Sequence, residues 1–173
     1  MEKLFVSWTD VHKLVAKLAA DIAADKWEPD LIIAIASGGF IPARIMKTYL
    51  KKDIYAVGLR RYTETDSGGQ EVLATPRKLQ WLEGIDQSLE GRRILVVDEV
   101  DDTRVTLAWC LAALAEHRPA EIRAAVLHQK DKPKGARFPS SLVKLYEGTS
   151  IPDLWIKYPW DALDIDKHER GEE

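Results

Sequence analysis

At 173 residues, 46% hydrophobic and 31% charged, the chain has the composition of an ordinary globular domain with enough length for a sizeable core. Its formal charge of −3 argues against general nucleic-acid binding, which shows as a basic excess. A single cysteine, Cys110, excludes an internal disulfide, and no run approaches the ~20 apolar residues of a membrane span.

The N-terminal MEKLFVSW is too short an apolar run for a signal peptide, so the expectation is one cytoplasmic domain with no membrane partner. SWTDVHKLVAKLAADIAADK predicts an amphipathic helix: Val11, Leu14, Val15, Leu18 and Ile22 share a face, and Ser7 with Asp10 forms a capping box. PDLIIAIA is a short, continuously apolar run, the pattern of a strand covered on both faces. SGGF follows, then IPARIMKTYL, a helix with Pro42 near its start, where a missing N–H matters little. DIYAVGLRRY reads as the next strand. Residues 63–77, TETDSGGQEVLATPR, are polar and carry Gly68, Gly69 and Pro76, which predicts a long loop. RRILVVD is a strand and TRVTLAWCLAALAEH the helix after it, with Cys110 a buried, inert thiol. EIRAAVLHQ is a further strand. The basic turn KDKPKGARFP leads to short strand-like pieces around LVKLY and LWIKY, and DALDIDKHERGEE to a short terminal helix. Strands alternating with helices give an α/β fold with a mostly parallel sheet. The last thirty or so residues break the alternation and are expected to form a small flap.

In ILVVDEVDDTRVTL, residues 94–107, an apolar strand runs into Asp98, Glu99, Asp101 and Asp102, and a helix begins near Thr103 and Thr106. Ligands of open α/β sheets sit beyond the carboxyl ends of the strands. The unpaired N–H groups of the helix start, with the threonine hydroxyls, suit a phosphate. Asp98 and Glu99 suit two neighbouring hydroxyls or Mg²⁺, and Asp102 is placed to act as a general base. Together they fit a phosphorylated sugar. The same residues also fit a solvated acidic turn before a Thr-capped helix. An EF-hand loop and a Walker A loop are both excluded, since neither pattern is present.

VVDEVDDTRVT resembles the signature of the type I phosphoribosyltransferases: an apolar strand, two acids, two residues, then Asp-Thr-Gly-x-Thr. Asp101 stands in place of an aliphatic residue and Arg104 in place of the glycine. Both departures are similar to the fungal xanthine and hypoxanthine-guanine enzymes. PDLIIAI-SGGFIPARI, VLH-KDKPK and IPD-WIKYPWDALDI extend the resemblance over nearly the whole chain, and parts resemble the shorter bacterial xanthine-guanine enzyme. The resemblance implies a type I phosphoribosyltransferase fold: a twisted, mostly parallel sheet flanked by helices, a mobile lid at about 62–80 and a hood at about 140–173.

It also implies a set of site residues. Asp98, Glu99, Asp102, Thr103, Arg104, Val105 and Thr106 would bind the donor, 5-phosphoribosyl diphosphate, with Asp102 as catalytic base. Ala36, Ser37, Gly38 and Gly39 would bind pyrophosphate, with Ser37 where the family often has Lys or Arg and with a cis peptide between Ala36 and Ser37. Lys130 would donate to O6 of a 6-oxopurine, Trp155 would stack on it, and groups near Ile156 would read its C2 side. Asp98, Glu99 and Asp161 would hold Mg²⁺. Arg60, Arg61, Tyr62 and Lys78 belong to the lid. Lys132 and Lys134 are expected to be solvated, His128 to be a structural strand residue and Trp160 to be packing. The implied reaction is purine salvage, transfer of phosphoribosyl to N9 of xanthine, guanine or hypoxanthine, by a homo-oligomer, dimer or tetramer, with no nucleic-acid partner. A regulatory protein of the same fold, binding nucleotides or nucleic acid with little turnover, is the alternative.

Overall fold

A computed structural model of the chain describes residues 2–64, 70–82 and 89–172. Helix α1 (Trp8–Ala24) begins at the expected capping box: Ser7 Oγ accepts from Asp10 N at 3.0 Å, and the Asp10 carboxylate accepts from Ser7 N at 3.1 Å. Strand β1 (Lys3–Phe5) precedes it. Strand β2 (Leu31–Ala36), helix α2 (Phe40–Leu50) and strand β3 (Ile54–Glu64) follow, then β4 (Gln70–Gln80), β5 (Arg93–Asp101), α3 (Val105–Ala115), β6 (Glu121–Asp131), β7 (Leu142–Pro152) and β8 (Trp155–Lys157). A 3-10 turn over Pro159–Asp161 and helix α4 (Ile165–Glu169) end the described chain.

Six strands form the main sheet in the order β4-β3-β2-β5-β6-β7, parallel throughout except for the antiparallel β3–β4 pair. Successive residues of the central strands face opposite layers. Ile32, Ala34, Leu95 and Val97 pack with Val15, Leu18 and Ile22 of α1 and Met46 of α2. Ile33, Ile35, Ile94 and Val96 pack with Leu107, Leu111 and Leu114 of α3. The unbroken apolar runs therefore follow from helices on both faces, and each buried Val, Leu or Ile side chain contributes roughly 1.5–3 kcal/mol by leaving water. Cys110 is buried in the α3 layer, where burial pushes its thiol pKa up.

The chain winds outward from β2 through β3 to β4, then returns to place β5 on the other side of β2. The carboxyl ends of β2 and β5 thus flank the point where the winding reverses, the usual ligand crevice of such sheets. These ends carry the SGG turn and the four acids.

Three expectations need correction. Most of residues 63–77 form a hairpin rather than a loop: β4 pairs with β3 from Gly58↔Gln80 to Glu64↔Gln70, so much of the proposed lid is sheet. The strand escaped notice because it is an exposed edge without apolar alternation. Its Pro76 sits where the register shifts between Arg60 and Tyr62, a bulge in which a missing N–H is tolerated. Gly68 and Gly69 lie outside the described residues. Second, β7 is eleven residues long and joins the main sheet beside β6, so residues 142–152 do not belong to a separate hood. The separate layer is smaller: β8 pairs in parallel with β1, a strand the sequence did not announce, and His168 of α4 bonds Val6 O at 2.8 Å through Nε2. Third, β5 continues past Asp98 to Asp101, carrying Asp98, Glu99 and Asp101 within the strand.

Candidate active site

A cavity of about 370 Å³ lies between the ends of β2 and β5. Ala36, Ser37 and Gly38 line one side; Asp98, Glu99, Asp102, Thr103, Arg104 and Thr106 line the other. The turn and the acids are in close contact. A Cβ at Gly38 would fall 2.0 Å from Glu99 Oε2, and one at Gly39 would meet the Val97 and Ile35 carbonyls at 2.5 and 2.7 Å. Only glycine lets this backbone come so near. The Ala36–Ser37 peptide is cis, as the resemblance implied.

The acids sit in different environments. Asp98 is buried, and its Oδ1 accepts from Glu99 N at 2.9 Å. Burial, then repulsion from Glu99, raises its pKa well above the usual carboxylate value. Asp101 is wholly buried and takes bonds at Oδ2 from Arg104 Nε (3.1 Å) and Nη2 (2.7 Å). Arg104 stands at φ 70° just before α3 and lays its guanidinium 4.0 Å from the Phe138 ring centroid. Val105 opens α3, leaving the N–H groups of its first turn free of helical partners.

Asp102 lies at the edge of the cavity in a network of alternating charge. Lys130 Nζ is 3.5 Å from Asp102 Oδ1 and 3.5 Å from Asp153 Oδ1; Lys132 Nζ is 2.9 Å from each of the same oxygens. Asp153, then Asp102, raises the Lys132 pKa, and Lys132 lowers that of Asp153. Lys132 is therefore paired rather than solvated. So is Lys134, whose ammonium donates to the carbonyls of Asp101 (2.8 Å), Asp102 (2.9 Å) and Lys130 (2.7 Å). All three of its donors are used, and they clasp the basic turn onto the acidic strand end.

Tyr158 links the C-terminal layer to the same strand end. Its hydroxyl donates to Glu99 O at 3.0 Å and lies 2.9 Å from His128 Nδ1, and its ring stacks on Trp160 at 4.5 Å. With the hydroxyl proton given to Glu99, His128 must carry its proton on Nδ1 and donate to the Tyr158 oxygen. His128 thus has a partner that the sequence did not suggest, and burial lowers its pKa to about 4.

Trp155, Ile156 and Asp161 are not brought to this cavity. They line a second one, of about 570 Å³, with Phe5, Leu163 and His168. Trp155 leaves about half its surface exposed. Lys130 and Asp153 form the bridge between the two regions, since Asp153 immediately precedes the Leu154–Trp155 step. Among the described residues, no three His, Cys, Asp or Glu side chains are arranged to hold a metal ion.

The phosphoribosyl transferase domain family matches residues 7–163. The chain belongs to this phosphoribosyltransferase family. It is 38% identical to xanthine phosphoribosyltransferase 1 of Saccharomyces cerevisiae, covering 96% of this chain and 93% of that protein. Identity is also 38% to the hypoxanthine-guanine phosphoribosyltransferase of Schizosaccharomyces pombe, with the same coverages. A hypothetical protein from Neisseria gonorrhoeae, crystallised with bound ppGpp, superposes with a TM-score of 0.88 at 40% identity, covering 98% of this chain and 94% of that one.

For this phosphoribosyltransferase, sequence reasoning missed Lys132, Lys134, Asp153 and Tyr158 as neighbours of the acids. Opposite charges at Asp101 and Arg104, three residues apart, were a visible signal for one pair. Nothing in the sequence marked the Lys134 clasp, which joins residues more than thirty positions apart. No helix among the described residues is long and apolar enough to cross a membrane.

Proposed function

We propose that the chain is a purine-salvage enzyme that transfers 5-phosphoribosyl from phosphoribosyl diphosphate to N9 of a 6-oxopurine, releasing pyrophosphate. The observation that carries this reading is the placement of Lys130 beside Asp102, 3.5 Å apart, where Asp102 lines the cavity between β2 and β5. A 6-oxopurine presents O6 and N7 as neighbouring acceptors on one edge. Lys130 donates to O6, and Asp102 handles the proton at N7, the arrangement expected of a general acid–base group. Trp155 offers an exposed aromatic face for stacking on the base and Ile156 a neighbour for its C2 side, a role that requires the C-terminal layer to close toward Asp102.

The donor divides among three groups of residues. Thr103, Arg104, Val105 and Thr106 supply the start of α3 to the 5-phosphate. Asp98 and Glu99 accept from the ribose hydroxyls. The Ala36–Gly39 turn takes the pyrophosphate on backbone N–H groups other than that of Gly39, which already donates to Ile35 O at 2.9 Å. A divalent cation fits this donor set: Mg²⁺ binds through one or two carboxylates plus substrate oxygens, and Asp98 beside Glu99 is such a pair. When bound, it supplies positive charge to the diol and leaving group. Asp161 joins the proposal for that cation on resemblance alone. The buried Asp98 beside Glu99 supports the fit, because a cation would offset both the burial and the Glu99 repulsion that raise Asp98.

A second reading rests on the ppGpp held by the Neisseria gonorrhoeae relative. On it, the same cavity takes a guanosine polyphosphate, and binding rather than turnover is the output. One experiment separates the two. Protein, Mg²⁺ and phosphoribosyl diphosphate are mixed with each purine, with and without ppGpp, and pyrophosphate release is followed alongside direct titration of ppGpp binding. Release with an oxopurine supports the enzyme; ppGpp binding with no release from any base supports the regulator.

A further inference from the structure

The turn Ala36–Gly39 carries no charged side chain, and Asp98, Glu99, Asp101 and Asp102 gather four carboxylates around the same cavity. An anionic ligand needs a compensating charge there. Two guanidinium groups line the cavity, Arg61 and Arg104. Arg104 is committed, since two of its nitrogens bond Asp101 and its plane lies on Phe138.

Arg61 is not committed in this way. It stands on β3, three residues beyond Gly58, which pairs with Ala36 of the turn. Its side chain crosses the cavity to the cradle opposite, where Nη1 donates to Thr103 Oγ1. Its Nε is buried with no hydrogen-bond partner, and no carboxylate pairs with it among the described residues. A buried guanidinium N–H without an acceptor is costly, and an acceptor brought into the cavity by a ligand would remove that cost. A planar fork of donors also matches phosphate oxygens in pairs.

We infer that Arg61 supplies the cation that the turn lacks at Ser37 and grips the diphosphate of the donor, acting as a specificity residue for the leaving group. This rests on the donor reading above. In the absence of ligand, Thr103 Oγ1 holds the guanidinium in place. A diphosphate on the Ala36–Gly39 turn then offers oxygens to Nε and Nη, and the Thr103 hydroxyl is released to the 5-phosphate. The diphosphate is preferred over the 5-phosphate as the partner because Arg61 comes from the strand beside the turn.

The test is calorimetric titration of Mg-pyrophosphate and of ribose 5-phosphate into the full chain, as wild type, R61Q and R61Q/S37K. R61Q is expected to lose about 10- to 100-fold in pyrophosphate affinity, the range for charge-assisted bonds, while ribose 5-phosphate changes by less than about threefold. R61Q/S37K is expected to recover at least about tenfold by placing the charge on the turn itself. Unchanged pyrophosphate affinity in R61Q overturns the inference. So does equal loss for both ligands, which marks a disturbed cradle, or loss confined to ribose 5-phosphate. No turnover is read, so a wild type that binds pyrophosphate through Arg61 yet transfers no phosphoribosyl sinks the enzymatic reading alone. An active enzyme whose R61Q form binds pyrophosphate normally sinks the Arg61 assignment alone.

Discussion

Asp101 and Arg104 hold each other: the buried Asp101 Oδ2 accepts from Arg104 Nε at 3.1 Å and from Nη2 at 2.7 Å. These are the two positions at which VVDEVDDTRVT departs from the signature it resembles, and the structure makes them one feature. Arg104 occupies the left-handed region, φ 70°, where glycine is the usual residue and an L side chain costs roughly 1–2 kcal/mol. The ion pair offsets that cost, and Lys134 adds a second cation 3.4 Å from the same oxygen.

Arg104→Gly alone should therefore destabilise the fold by about 2 kcal/mol, because a buried carboxylate loses its principal partner while backbone strain is relieved. Asp101→Val with Arg104→Gly should return stability to within about 1 kcal/mol of wild type, since neither charge is then left alone. Urea unfolding of the two singles and the double checks this. Simple additivity of the singles would show the pair to be uncoupled.

His128 gives a pH signature. Protonation would put charge into a buried ring, so its folded pKa of about 4 lies below the ordinary 6.5. Between those values the unfolded chain binds more protons, so this contribution is whole above pH 6.5 and is lost as pH falls toward 4. The loss should reach up to about 3 kcal/mol. His128→Gln should flatten the difference in stability between pH 7 and pH 4 relative to wild type, measured by urea unfolding at each pH. Parallel pH curves for the two proteins would contradict a buried neutral His128.

Asp102 is expected to act in the chemical step. Asp102→Ala should lower kcat by about two to four decades while donor affinity changes little. Steady-state rates alongside direct binding of phosphoribosyl diphosphate separate the two effects. A variant that turns over near the wild-type rate would remove Asp102 as the base.

The parts of this account that were legible in the sequence share a physical origin. The buried strands showed as unbroken apolar runs, and α1 announced itself through its capping box and spacing. The SGG turn and the Asp98–Thr106 run each follow directly from a strand end, so their meeting at the β2–β5 crevice required only the strand order. What was hidden depended on neighbours far away in the chain. The β4 edge has no buried face to impose a pattern, and the three-residue β1 exists only because β8 lies beside it. Lys132 and Lys134 look like solvated lysines until the turn that carries them folds back over Asp101 and Asp102.

Lys130 should set the choice between oxo and amino purines. Its ammonium has donors but no acceptor, so it suits O6 and opposes an N6 amine. Lys130→Met should therefore cost most with oxopurines and narrow their lead over adenine. Substrate competition between guanine and adenine in the variant measures the change, and an undiminished preference for guanine would place the selection elsewhere.

The most direct test of the central claim is kcat/KM for xanthine, guanine, hypoxanthine and adenine with phosphoribosyl diphosphate and Mg²⁺, the nucleoside 5′-monophosphate being identified as product. Oxopurines should be used, xanthine and guanine ahead of hypoxanthine, with adenine several decades behind, the penalty of setting a buried donor against a donor. Hypoxanthine as the clear favourite would overturn only the ranking. Failure to form a monophosphate from any base, or adenine within about tenfold of the best oxopurine, would contradict the reading of Lys130 and Asp102 as the groups that take the purine edge.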